Sequence, residues 1–269
     1  MDPRRLYSAL LFIPLLYVGI RYSPPWLFSL LIGAIALFAL WEFLSLYFSN
    51  TGSLSPKVLS CFAAALLLIG MNEGLPHVLL VSLLGMVAII MAGFCISPVH
   101  TKQRLPDWAA YIFGVLYVGL LLGHYSLLRN LEQGVALVFF VIIVTWLSDT
   151  GGFFVGKTMG KHPLAPTLSP KKTIEGLLGG VLFSVIGGII SHFTFVPFFS
   201  LGQCMILGVS LALLGALGDL AESAIKRSVR VKDSGTIIPG HGGVLDRIDS
   251  LLFSGPAMYY YVMFSLPPY

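Results

Sequence analysis

Asp219, Glu222, Ser223 and Lys226 stand at i, i+3, i+4 and i+7, so on a helix they share one face. Asp246, Asp249 and Ser250 repeat the pattern beyond a loop, which reads SAIKRSVRVKDSGTIIPGHGGVLDRID from Ser223 to Asp249. Carboxylates of this kind suit a hard divalent cation, Mg2+ before others, which keeps several waters and is usually completed by substrate phosphates. Between them, Lys226, Arg227, Arg230 and Lys232 supply positive charge suited to polyphosphate and acidic lipid headgroups. Pro239, Gly240, His241, Gly242 and Gly243 form a turn whose small side chains let backbone N–H groups approach phosphate oxygens. Simpler roles exist for each group: Glu222 can pair with Lys226, Asp246 or Asp249 with Arg247, and the cations can anchor the loop at a membrane face. None of these explains why Asp233, His241 and Asp246 lie among the glycines and cations.

The elements that position these residues must be lipid-embedded helices, because 57% of the 269 residues are apolar and only 10% are charged. A chain crosses the hydrocarbon, about 30 Å thick, with about 20 apolar residues. Runs of suitable length are Leu6 to Ile20, Trp26 to Phe48, Val58 to Met71, Val78 to Ile96 and Trp108 to Tyr125. They continue with Gly134 to Leu147, Thr173 to Phe195, Leu201 to Lys226 and Ile248 to Leu266. The expectation is an all-α, polytopic membrane protein with about nine transmembrane helices. Arg4 and Arg5 before the first run resemble the start of a secretory signal, but no small-residue cleavage site follows, so the run is read as a retained span. Cys61, Cys95 and Cys204 lie inside apolar runs without CxxC spacing, which supports neither a disulfide framework nor a zinc knuckle. Glu42, between Trp41 and Phe43, is read as a structural pairing residue.

Basic residues set the orientation. Arg4, Arg5, Lys57, Lys102, Arg104, Lys157, Lys161, Lys171, Lys172, Lys226, Arg227, Arg230, Lys232 and Arg247 fall on one side of such a nine-span chain, and only Arg21 and Arg129 on the other. This places the N-terminus in the cytoplasm and the C-terminus outside. The two polar connections, Ser148 to Lys172 and Arg227 to Arg247, then both face the cytoplasm. Residues 1–103 are read as structural, lipid-facing spans, 104–172 as middle spans with a polar cytoplasmic loop, and 173–269 as the catalytic spans with the long loop.

That loop resembles the signature of the phosphatidate cytidylyltransferases, the CDP-diacylglycerol synthases. The resemblance rests on Ser223, Lys226 with Arg227, Lys232 with Asp233, Pro239 with His241, Gly242 and Gly243, and Asp246 with Arg247 and Asp249. So many positions at fixed spacings make a far more specific pattern than a lone glycine motif. Ser148, Asp149, Thr150, Gly151, Gly152, Gly156, Lys157, Gly160, Lys161, Ser169, Pro170, Lys171, Lys172, Thr173, Glu175 and Gly176 are similar to the family's second polar region. The two regions cover about the C-terminal half of the chain.

The resemblance implies transfer of the cytidylyl group of CTP to phosphatidic acid in phospholipid biosynthesis, in an integral protein of the cytoplasmic membrane. It implies Mg2+ on Asp219 and Asp246, with Glu222 and Asp249 as auxiliary ligands or orienters, and room for a second, monovalent cation such as K+. Asp219, Asp246, Asp249 and Lys226 form the expected catalytic set. Lys226, Arg227, Lys232 and Arg247 would bind phosphates, with Ser223 and Asp233 beside them. His241, Gly242 and Gly243 would shape the nucleotide pocket, and Asp149, Lys157, Lys171 and Lys172 would close it. Partners would be CTP, phosphatidic acid and membrane lipids, with no nucleic acid; a homodimer rests on the resemblance alone. Two other readings stay open: cytidylyl transfer to a different lipid phosphate, and an ion-coupled transporter using the same carboxylates. A transporter would place acids near the midplane with inverted symmetry between halves, whereas here the polar residues crowd one face of the C-terminal half.

Overall fold

The computed structural model describes residues 3–48, 54–73, 76–96, 104–235 and 242–265. Ten α-helices account for most of it: α1 (Pro3–Tyr22), α2 (Pro25–Tyr47), α3 (Leu54–Asn72), α4 (Pro76–Ile96), α5 (Arg104–Gly114), α6 (Leu121–Asn130), α7 (Gly134–Met159), α8 (Ile174–Thr194), α9 (Leu201–Ser228) and α10 (Leu245–Ser265). A π-helical stretch, Val115–Leu120, joins α5 to α6, and two short strands, β1 (Pro163–Ala165) and β2 (Ser169–Thr173), lie between α7 and α8. Among the described residues, six helical stretches are long and apolar enough to cross a membrane: Pro25–Tyr47, His77–Cys95, Pro106–Asn130, Gly134–Met159, Ile174–Thr194 and Leu201–Ser228. The chain is therefore an all-α, polytopic membrane protein with a small β-hairpin added.

The chain divides into two compact units. The first is Met1–Leu127 with Asp233–Asp246; the second is Leu128–Lys232 with Arg247–Tyr269. In the first, α2 starts with proline at its first position, where the missing N–H costs no helical hydrogen bond. It packs against α3 and the π-helical stretch, while α3 packs against α4. Aromatic rings fix the α2–α5 contact: Phe48 stacks on Tyr111 at 4.2 Å between centroids, and Phe43 lies 5.9 Å from Phe113.

In the second unit, α7 and α8 form an antiparallel pair whose crossing is lined by glycines, so the two backbones can approach closely. A Cβ on Gly176 would stand 3.0 Å from Gly152 O, and one on Gly180 would stand 2.9 Å from Ser148 O. Gly188 faces α9 in the same way, 2.5 Å from Cys204 O for an added Cβ. The glycines of α8 are thus used within the chain. Ser184 Oγ adds a hydrogen bond across to Gly208 O at 2.7 Å, a contact contributing about 1 kcal/mol inside a membrane.

The sequence reading ended the sixth span at Leu147, yet α7 runs on to Met159. Ser148, Asp149, Thr150, Gly151 and Gly152 look like loop residues because small and polar types favour turns. Here the glycines are contact points instead: a Cβ on Gly151 would meet Phe183, and Gly152 and Gly156 face Gly176. Helix packing overrides local propensity, and Asp149 is carried on a rigid helix.

Candidate active site

Three acids of the second unit form the centre of the site, each from a different helix. Asp149 comes from α7, Asp219 from α9 and Asp249 from α10. Each lies within electrostatic range of the other two. Ser250 ties two of them together: its Oγ donates to Asp149 Oδ2 at 3.2 Å, and its N–H donates to Asp249 Oδ1 at 2.7 Å. Small residues let α10 settle on α9 beside them, since a Cβ on Gly215 would stand 3.4 Å from Ser250 O, and one on Gly218 would meet Asp249 O.

Two lysines answer this negative charge. Lys172, from β2, places Nζ 2.5 Å from Asp219 Oδ2. Lys226 pairs with Glu222 one turn below it at 2.5 Å, and it also lies within electrostatic range of Asp249. Glu222 is fully buried, so this is a buried ion pair in which each charge depends on the other. Its geometry is the i, i+4 pairing that the sequence offered as the simpler role for Glu222.

The hairpin that delivers Lys172 is held at both ends. β1 and β2 pair antiparallel, with Pro163 opposite Thr173. Glu175, in the first turn of α8, accepts the N–H groups of Lys161 at 3.1 Å and His162 at 3.2 Å, and it also contacts His162 Nδ1 at 2.5 Å. Thr173 caps α8 by accepting Gly176 N–H at 3.1 Å. From α9, Arg227 donates to Leu168 O at 3.3 Å and to Val231 O at 3.0 Å. Arg227, expected to bind phosphate, thus also fixes the hairpin turn and the end of α9. That end closes in a helix-terminating motif: Arg230 is left-handed at φ 59°, and Val231 N–H reaches back to Lys226 O at 3.0 Å.

The remaining expected residues are placed as follows. Lys171, Lys157, Lys232, Asp233 and Arg247 are exposed, and Ser223 is half-buried on α9. Lys157 Nζ lies 5.7 Å from the centroid of the Phe153 ring, and Arg247 is within electrostatic range of Asp149. His241 lies outside the described residues. In the first unit, Asp246 Oδ2 accepts hydrogen bonds from Ser234 N–H at 2.9 Å, Ser234 Oγ at 3.0 Å and Gly243 N–H at 2.9 Å. Gly242 has φ 80°, the left-handed region that glycine adopts without penalty, and an added Cβ there would stand 2.5 Å from Asp246 Oδ2.

Two features were not foreseen. Asp149 was expected only to close over the substrate, yet it stands in the acid group; its one readable sign was a carboxylate two residues beyond the apolar run Gly134 to Leu147. Glu175 appeared only within a motif, and its latch on His162 and Lys161 carried no sequence signal.

Among the described residues, no three His, Cys, Asp or Glu side chains are gathered as a metal cage. Mg2+ seldom needs one, since one or two carboxylates plus waters and substrate phosphates suffice. Carboxylate oxygens such as those of Asp219 and Asp249 are hard donors, chemically suited to one or two bonds of that kind.

A membrane-embedded helical chain carrying clustered carboxylates with lysines beside them defines an integral membrane protein equipped to handle phosphate groups. The sequence matches the cytidylyltransferase family over residues 3–265, and the chain belongs to that family. It is 35% identical over 256 residues to the phosphatidate cytidylyltransferase of Staphylococcus haemolyticus, covering 94% of each chain. It is 37% identical over 228 residues to that of Staphylococcus aureus, covering 83% of this chain and 85% of the relative. Over 149 residues, 54% of each chain, it is 42% identical to the phosphatidate cytidylyltransferase of Bacillus subtilis.

Proposed function

We propose that the chain transfers the cytidylyl group of CTP to phosphatidic acid, giving CDP-diacylglycerol and pyrophosphate. The observation that carries this reading is the Asp149, Asp219 and Asp249 group, with Lys172 and Lys226 beside it, in a chain of the cytidylyltransferase family. A phosphate oxygen of phosphatidic acid attacks the α-phosphorus of CTP, the bond from that phosphorus to the bridging oxygen breaks, and pyrophosphate leaves with the electron pair. Both reactants are anions, so the barrier is largely repulsion, and positioned cations lower it.

Lys172 is placed to exchange its contact with Asp219 for a phosphate oxygen. Lys226, held upright by Glu222, presents a second positive charge from a fixed helix face. Arg227 keeps the hairpin in register. Lys157, Lys171, Lys232 and Arg247 draw in the triphosphate from the exposed side, with Ser223, Asp233, His241, Gly242 and Gly243 contributing polar contacts. Asp219 and Asp246 would hold Mg2+, with Glu222 and Asp249 as auxiliary ligands or orienters and Asp149 beside them through Ser250; when bound, the ion neutralises phosphate charge and stabilises the leaving pyrophosphate. Asp246 is proposed as a further catalytic carboxylate, and K+ as a second cation.

The finer topology belongs to the same proposal: nine spans, N-terminus in the cytoplasm, site facing the cytoplasm across the inner membrane, and phosphatidic acid entering sideways from the inner leaflet. The distribution of Lys and Arg supports it. A homodimer is proposed on the family's account only. The test is product formation from labelled CTP and phosphatidic acid by the purified chain in detergent, without any ion gradient. Product formed there supports the enzyme reading over a transporter, and swapping phosphatidic acid for a polyprenyl phosphate identifies the acceptor.

A further inference from the structure

Glu42 is only 3% exposed and lies in the apolar helix α2, between Trp41 and Phe43. A carboxylate in such a place is costly unless its oxygens are hydrogen-bonded. Its Oε2 accepts the N–H of Leu245 at 2.9 Å, although 203 residues separate the two. Leu245 opens α10, and the first N–H groups of a helix have no partner within it. The positive end of the helix dipole also favours a carboxylate there.

Both oxygens of Glu42 occupy space that a side chain on a neighbouring glycine would need. A methyl group on Gly243 would stand 2.6 Å from Oε2 and 2.7 Å from Oε1, and one on Gly235 would stand 2.7 Å from Oε1. Asp246 joins Ser234 to Gly243 through hydrogen bonds to its Oδ2. Ser234, Gly235, Gly243 and Leu245 are therefore placed around two carboxylates, Asp246 and, from the second helix of the chain, Glu42. Glu42 occupies the space a side chain on Gly235 would need, and at Gly243 it does so together with Ser234 Oγ.

We propose that Glu42 is a positioning residue for cytidylyl transfer. By accepting the Leu245 N–H it fixes the start of α10, next to Gly243 and Asp246, so a residue of the N-terminal helices helps to place this end of the signature. The proposal rests on the functional reading above where activity is measured, and stands apart from it where backbone exchange is measured.

The full chain is purified in detergent as wild type, Glu42→Ala, Glu42→Gln, Gly235→Ala and the Glu42→Ala/Gly235→Ala double variant. Glu42→Ala lowers kcat about tenfold or more, and Glu42→Gln, which keeps an acceptor oxygen, restores most of that loss. Gly235→Ala costs a similar factor alone but less than about twofold in the Glu42→Ala background, where the clashing carboxylate is gone. Amide exchange across residues 242–246 accelerates in Glu42→Ala and returns toward wild type in Glu42→Gln. A Gln variant as impaired as the Ala variant, or equal Gly235→Ala factors in both backgrounds, would overturn the proposal. A wild-type chain that makes no CDP-diacylglycerol would instead overturn the functional reading. Exchange left unchanged by Glu42→Ala would overturn the positioning role by itself.

Discussion

Lys172 Nζ lies 2.5 Å from Asp219 Oδ2, joining a strand of the β1–β2 hairpin to a carboxylate on a long apolar helix. The lysine neutralises the acid and, on the proposed reading, keeps a cation where a phosphate is to arrive. Replacing Lys172 with Met removes both services. The expected result is a fall in kcat/KM for CTP of about a hundredfold, the usual scale for losing a group that stabilises transition-state charge. Steady-state kinetics with labelled CTP checks it, and a change under about threefold would mean that Lys172 serves only the resting structure.

The Glu222–Lys226 pair should matter to stability as well as rate. Breaking a buried pair by removing one partner leaves an uncompensated charge and costs about 3–5 kcal/mol. Glu222→Ala and Lys226→Ala should therefore each lower the thermal midpoint in detergent markedly. The double variant Glu222→Met/Lys226→Met should recover much of that loss while remaining inactive, because the lysine is still missing.

Glu175 holds the neck of the hairpin through Lys161 and His162. Glu175→Ala should leave the helices folded and loosen the segment that carries Lys172. Amide exchange across residues 161–173 should quicken, and KM for CTP should rise by about threefold to tenfold, as fits a group misplaced and not removed.

The glycine contacts of α8, with α7 at Gly176 and with α9 at Gly188, predict a steric pattern. Gly176→Leu or Gly188→Leu puts a side chain against opposing backbone and should destabilise the chain by about 1–3 kcal/mol or more, read as a lowered midpoint. Gly202→Ala meets nothing nearer than 4.0 Å and is the matched control, with a change within about 0.5 kcal/mol.

Much of this arrangement was legible in the residues. Helices α8 and α9 lie within one or two residues of the runs expected from hydropathy, because apolar length in lipid is a strong constraint. The shared face of Asp219, Glu222 and Lys226 follows from helical spacing alone. The hairpin was not legible: Pro163, Pro166 and Pro170 interrupt a polar stretch with no alternation to mark strands, and hydrogen bonds from outside it, to Glu175 at its neck and from Arg227 at its turn, hold it. Nor was the extension of α7, where Gly151 and Gly152 look like a turn and serve as a packing surface. The partner of Glu42 lay 203 positions away, beyond any local pattern.

The central claim is that Asp149, Asp219 and Asp249 act together on CTP. Its most direct measurement is the rate of CDP-diacylglycerol formation from labelled CTP and phosphatidic acid by purified Asp149→Asn, Asp219→Asn and Asp249→Asn, each over a range of Mg2+ concentrations. The expected result is a loss of about a hundredfold or more in kcat for Asp219→Asn and Asp249→Asn, a smaller loss for Asp149→Asn, and midpoints close to wild type. Turnover near the wild-type rate in Asp219→Asn or Asp249→Asn would contradict it.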